Sequence, residues 1–239
     1  AEGPPLDIPP AEPPLSRQIL LASLIMEQAG HDGRHSSPDQ AARLAQELAR
    51  LLDEVQTARL SFTALAELVP ETLAEHWQVT LVFLRILTSR WPEKLAKRGT
   101  IDPAEHRNRV FAAQAKAWSQ NPPKGLVVAA GSTGSVPVTR DLLEVVAKLP
   151  NGCVILPGLD QAMDNNSWDC VEDSHPQFNL KGLLERLGLG RSEVSLWPTE
   201  DANETSHDRQ NLISEIMRPA ATSEQWSNLN TLHADAIAG

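Results

Sequence analysis

Five residues near the middle of the chain, Asn121-Pro122-Pro123-Lys124-Gly125, rule out a single continuous helical architecture. Proline has no amide to donate and its ring collides with the preceding turn, so two prolines followed by a glycine end whatever helix reaches them. The apolar pattern also changes at this point. Before it, apolar residues recur at three- and four-residue intervals; after it, short unbroken apolar runs alternate with amphipathic stretches. The expectation is a helix-rich α/β chain, with a helical part followed by a part containing a β-α-β unit.

On the helical side, Ser16 reads as the cap of a helix carrying Ile19, Leu20, Leu24 and Met26 and stopping at Gly30. Ser37-Pro38-Asp39-Gln40 combines an N-cap, a proline in the first turn and a glutamine three residues after the cap, opening a long helix through Leu44, Leu48, Leu52 and Val55. A short helix over 61–69 and a long one over 71–90 follow, the second broken by Trp91-Pro92. A short basic helix then ends at Gly99, and Asp102-Pro103-Ala104-Glu105 reads as a second capping box for a helix to about Gln120. The expected organisation is a Pro-rich linker with a first helix over 1–34, a helical subdomain over 35–121 and an α/β portion over 122–239.

Beyond the boundary, LVVAA (126–130) and CVILPG (153–158) read as strands, with the loop GSTGSVP and the helix TRDLLEVVAKLP between them. FNLKGLLERLG (178–188) reads as a helix and EVSLWP (193–198) as a further strand. Residues 203–217 and 223–236 read as helices.

Composition narrows the function classes. Cys153 and Cys170 stand alone, without a CxxC pair or a histidine at zinc-ligand spacing, so neither a disulfide framework nor a structural zinc is expected. That usage points to a reducing, cytoplasmic location. The most apolar stretch, 79–87, is far shorter than the roughly 20 residues of a bilayer span, and no membrane partner is expected. The first residue is Ala and the opening AEGPPLDIPPAEPP is linker-like, which reads as a piece of a longer protein. A net charge of −10 argues against a general nucleic-acid coat, yet from Arg85 to Lys124 nine cations face three carboxylates.

Several motifs invite chemistry. Gly131-Ser132-Thr133-Gly134-Ser135 follows a strand and precedes a helix, where phosphate loops and nucleophile elbows occur, but it matches neither pattern. A tight strand-to-helix turn is the plainer reading. Asp160, Asp164, Asp169, Glu172 and Asp173 lack the spacing of a calcium loop and read as a solvated loop. The histidines are scattered, and Trp77 and Trp118 sit on apolar helical faces, where core packing is expected. No catalytic or metal-ligating set is expected. The basic residues Arg85, Arg90, Lys94, Lys97, Arg98, Arg107, Arg109 and Lys116 are the strongest functional feature. Two readings stay open for them: sequence-independent contact with DNA phosphates, or a solvated face paired with neighbouring acids.

Several long blocks in order, including LVPETLAEHWQVTLVFLRILTSRWP (68–92), IDPAEHRNR (101–109), AAGSTGSVPVTRDLLEVVAKLPNGCVILPGLD (129–160), HPQFNLKGLLERLG (175–188) and RPAATSEQW (218–226), resemble the AddB family. AddB is the non-motor subunit of bacterial AddAB helicase-nucleases, which resect double-strand breaks for homologous recombination. The resemblance covers roughly residues 15–230 and implies an internal segment of a superfamily 1 helicase plan, with a 1B-like helical subdomain followed by part of the 1A-like core. In active relatives the first of these strands ends in an Asp-Glu pair that holds magnesium, and the second leads to a Gly-Asp-x-x-Gln type motif that senses the γ-phosphate. Here Ala130 and Gly131 stand in the acidic pair's place. The implied nucleotide site is therefore vestigial, comprising Ala130, Gly131, Ser132, Thr133, Gly158, Asp160 and Gln161. The resemblance further implies DNA and the AddA motor subunit as partners. ATP would sit on that motor, and the family's iron-sulfur cluster and magnesium belong to a nuclease domain outside this segment, leaving the segment without a cofactor. The competing readings are a stand-alone hydrolase or nucleotide-binding enzyme using the GSTGS turn, and an interaction module without DNA binding.

Overall fold

The computed structural model describes residues 7–31, 37–61, 86–197 and 204–228 of the chain. It is a helix-rich α/β structure in two units, residues 1–121 with 136–142 forming one and residues 122–135 with 143–239 the other. No described helix is long and apolar enough to cross a membrane.

In the first unit, α1 (Pro14–His31) and α2 (Pro38–Thr57) pack together, followed by one π-helical turn (Ile86–Arg90), α3 (Trp91–Arg98) and α4 (Pro103–Gln120). The cap that opens α2 forms as expected: Gln40 N donates to Ser37 Oγ at 3.3 Å and Ser37 N to Gln40 Oε1 at 3.4 Å. With its first turn satisfied, α2 presents Ala41, Ala45, Leu48, Leu52 and Val55 on one buried stripe. Ala41, Ala45, Leu48 and Leu52 of that stripe share one core with Leu21, Leu24 and Ile25 of α1 and Ile86, Leu87, Trp91 and Leu95 of the later elements. Each fully buried leucine there contributes about 1.5–3 kcal/mol.

Three expectations need correcting. Helix α1 starts at Pro14 and runs past Gly30, so Ser16 lies inside it instead of capping it. Trp91-Pro92 does not interrupt the chain, because Arg90 is helical (φ −72°, ψ −36°) and Pro92 falls in the first turn of α3, where no amide is required. Residues 10–12 are packed into the unit, Glu12 N donating to Ile101 O at 2.8 Å and Ile101 N to Pro10 O at 3.0 Å. The helix read over 61–69 lies outside the described residues from 62 onward, as does 71–85 of the next.

In the second unit, β1 (Val127–Ala130) and β2 (Gly152–Ile155) form a two-stranded parallel sheet, with Val127 opposite Gly152 and Ala130 opposite Ile155. They are joined by α5 (Pro137–Lys148), whose residues to Leu142 count with the first unit, and are followed by the short α6 (Asn165–Asp169), α7 (Phe178–Leu187) and α8 (Glu204–Ile216). Glycine at 152 is required by a close approach: a Cβ there would lie 1.8 Å from Val146 O. Leu180, Leu183 and Leu184 form the buried stripe of α7.

Residues 193–198 were expected to form a strand, but Arg191–Glu193 is a single 3-10 turn and Val194 to Trp197 pair with nothing in the sheet. Gln161 Nε2 holds the carbonyls of Arg191 (3.0 Å) and Val194 (2.6 Å), which fixes the start of this segment on a loop. Of the helix expected over 223–236, residues 220–228 form a 3-10 helix and the remainder lies outside the described residues. Thr222 and Ser223 hydroxyls bond the carbonyls three residues back, reinforcing the tighter winding.

Candidate functional site

The loops that leave β1 and β2 at their C-terminal ends lie side by side, linked by Gly131 N donating to Ile155 O at 3.2 Å. This is where ligands bind in open parallel sheets. Gly131 and Gly134 have φ of +78° and +70°, conformations that favour glycine, and Gly134 N donates to Ser132 Oγ at 3.2 Å. The Ser132 hydroxyl thus closes a turn, and Thr133 beside it is half-buried. Ala130 and Gly131 put no carboxylate at the end of β1.

The second loop is committed to its own fold. Gln177 clamps it from both sides, its Nε2 donating to Gly158 O at 2.9 Å and its Oε1 accepting from Asp160 N at 3.1 Å. Asp160 Oδ1 accepts from Ala162 N and Met163 N, each at 2.9 Å, while the Gln161 amide is spent on Arg191 and Val194. Arg191 returns the contact by donating to Asp160 O and Met163 O, and its guanidinium lies 4.5 Å over the Trp168 ring. Of the seven residues of the implied nucleotide site, the polar ones that the structure ties down serve turns and loop closure.

Asp164 departs from the solvated-loop expectation. It caps α6, with Oδ1 accepting from Ser167 N at 2.9 Å and Oδ2 from Ser167 Oγ at 2.8 Å, and it pairs with Arg218. Those amide, hydroxyl and guanidinium donors outweigh burial and hold its carboxyl down at about 2. Asp169, Glu172 and Asp173 are exposed. His175 is structural, with Nδ1 accepting from Gln177 N and Nε2 bonding Met217 O at 2.6 Å. Trp118 is half-buried; Trp77 and His76 lie outside the described residues.

The basic set divides. Arg85 lies outside the described residues. Arg90 and Lys94 both reach Glu27, at 3.0 and 3.8 Å, and Arg98 reaches the buried Glu12 at 3.0 Å. Arg90 and Lys94 tie the π-helical turn and α3 to α1, and Arg98 ties α3 to the segment before α1. Arg109 pairs with Glu105 four residues back, both partly exposed, a contact worth only about 0.3–0.5 kcal/mol. Arg107 donates to the Thr57 hydroxyl at 2.6 Å, and Lys97 and Lys116 are exposed and ion-paired with nothing among the described residues. Arg109 and Lys116 are seven residues apart and share a face of α4, whereas Arg107 and Lys116 fall on opposite sides of it.

Sequence reasoning missed the buried polar centre of this unit. Glu12, 1% exposed, accepts from Arg98 Nε, Thr100 Oγ1 (2.7 Å) and Ser16 Oγ. Burial would raise its carboxyl, but these donors overcome that and hold it at about 2. Arg17 bridges Asp53 at 2.9 Å and Asp102 at 3.0 Å. Asp102 occupies the N-cap position of α4 without a side-chain cap bond; it turns inward to accept from Trp91 Nε1 at 2.9 Å. Burial pushes its carboxyl up, against the pull of Arg17 and the Trp91 hydrogen bond. An open groove of about 790 Å³ runs beside this centre, lined by Leu52, Gln56, Trp91, Leu95 and Asn108. Comparison with protein families, curated proteins and solved structures finds no match to the chain.

Proposed function

We propose that this chain is a non-catalytic, DNA-guiding segment of an AddB-type subunit, a 1B-like helical part followed by a degenerate 1A-like part of a helicase core. The observation that carries the reading is the commitment of Asp160 and Gln161 to the loop's own amides and carbonyls. A γ-phosphate sensor needs those groups turned toward the nucleotide, and the preceding strand ends in Ala130 and Gly131 where metal chemistry would need carboxylates. On this reading hydrolysis belongs to a partner motor subunit, AddA in the resembled family, and this segment contributes surface.

The pairing pattern supports a smaller phosphate-contacting set than the basic stretch suggested. Arg90, Lys94 and Arg98 are engaged by Glu27 and Glu12, and Arg107 bonds Thr57 on the side of α4 opposite Lys116, which leaves Lys97, Arg109 and Lys116 to meet phosphates. The test is duplex and single-strand binding by the chain and by a variant with Lys97, Arg109 and Lys116 each changed to glutamine, alongside ATP turnover. The expected result is DNA binding lost in the variant and no ATP turnover by either protein. Turnover abolished by Asp160→Ala, or equal DNA affinity in the two proteins, would refute it.

A further inference from the structure

The turn that opens α7 contains a histidine whose two ring nitrogens have unlike partners. Gln177 N donates to His175 Nδ1 at 3.1 Å, and His175 Nε2 lies 2.6 Å from Met217 O in the turn after α8. A backbone amide can only donate and a carbonyl can only accept, so Nδ1 presents its lone pair and Nε2 carries the hydrogen. The partners thus select one neutral tautomer. An imidazolium has a hydrogen on each nitrogen; it keeps the bond to Met217 O but sets a second N–H against the Gln177 amide. Its charge also falls beside the positive end of α7, whose first residue follows Gln177.

Gln177 carries the consequence into the unit. Its side chain holds the loop after β2 by two bonds, Nε2 donating to Gly158 O and Oε1 accepting from Asp160 N. A shift of the Gln177 backbone therefore disturbs both. The charged groups on the elements that meet here are spent on other partners or lie in solvent. In the turn after α8, Arg218 is held by Asp164 and Glu215. On α7, Lys181 places its ammonium 3.0 Å from the carbonyls of Trp168 and Asp169. On the ring's own loop Glu172 and Asp173 are exposed, and in the β2 loop Asp160 Oδ1 accepts from Ala162 N and Met163 N. Among the described residues no carboxylate bonds to the ring, which is half-buried and so within reach of protons.

We infer that His175 is a proton-operated latch: the neutral ring fixes Gln177 and, through it, the loop after β2, and a second proton on the ring lets that loop open. This does not rest on the nucleic-acid reading. Histidine side chains change charge between about pH 5 and 8, which sets the range to probe. Asp164, held down at about 2, stays ionised throughout it. Nitrogen NMR of the full chain at about pH 8 should show His175 with its hydrogen on Nε2. As the ring gains its second proton, the exchange protection factors of the Gln177 and Asp160 amides should fall together, by about three- to tenfold, the worth of one hydrogen bond. His175→Gln, which has an amide to donate to Met217 O and no proton to gain, should keep both factors constant over the same range. Should that variant fail to fold, the wild-type titration decides alone, since the ring and both amides must share one midpoint. A hydrogen on Nδ1 at about pH 8, amides that stay protected while the ring titrates, or a loss at Gln177 without one at Asp160 overturns the proposal. So does an equal loss in the folded variant.

Discussion

Glu12 offers the sharpest stability test in the first unit, because an almost fully buried carboxylate there is held charged by three donors. Its carboxyl lies at about 2 against an ordinary 4.5, a difference that corresponds to at most about 3 kcal/mol of folding stability. Arg98, the only charged donor, is 45% exposed, and solvent screening reduces the expected value to about 1–2 kcal/mol. The direction follows from the lowering. A carboxyl depressed in the folded state contributes fully above its unfolded value of 4.5, and that contribution is lost as pH falls from there toward 2. Glu12→Gln keeps the shape and one acceptor but removes the charge. At pH 7 it should lower the first unit's melting temperature by about 3–6 °C. Between pH 4.5 and 2 the wild type should lose stability faster than the variant, converging on it. Hydrogen exchange at the amides of Ala11, Glu12 and residues 98–101 localises the effect. Equal melting at pH 7, or parallel pH profiles, would refute the claim that this carboxylate anchors the segment.

Two further substitutions separate charge from packing. Asp102→Asn should cost about 1 kcal/mol and Asp102→Ala about 3 kcal/mol in chemical denaturation, since only the latter leaves Trp91 Nε1 without its acceptor. Equal losses would mean that the Trp91 hydrogen bond carries nothing. Gly152→Ala should destabilise the second unit by at least about 2 kcal/mol, because its Cβ would sit 1.8 Å from Val146 O. Gly125→Ala, with open space around it, is the matched control and should be silent.

Features set by neighbours in sequence were legible before the structure. The Ser37–Gln40 cap, the stop at the two prolines, both strands and the glycine turn between β1 and α5 all depend on contacts a few residues apart. What escaped depends on distant partners. Asp102 looked like a cap because Pro103 and Glu105 follow it, yet its partners are Trp91, 11 residues away, and Arg17 on another helix. Glu12 sat in a stretch whose prolines spoke for a linker, and nothing local announces Arg98, 86 residues on. The basic stretch misled in the same way. Counting cations along the chain could not register that Glu27 and Glu12 come back to neutralise three of them. The segment 193–198 has strand composition, but a strand exists only where a ladder is offered, and Gln161 holds its start elsewhere.

The division of the basic residues yields the most direct measurement of the proposed function, the salt dependence of duplex binding. Each phosphate neutralised contributes about −0.9 to the slope of log affinity against log salt, so Lys97, Arg109 and Lys116 together predict a slope of about −2 to −3. Had all seven described basic candidates met phosphates, the slope would be about −6. A value near −2 to −3 that falls toward zero when the three are changed to glutamine is the predicted result. No binding at low salt, or a slope the three substitutions leave unchanged, would contradict the account.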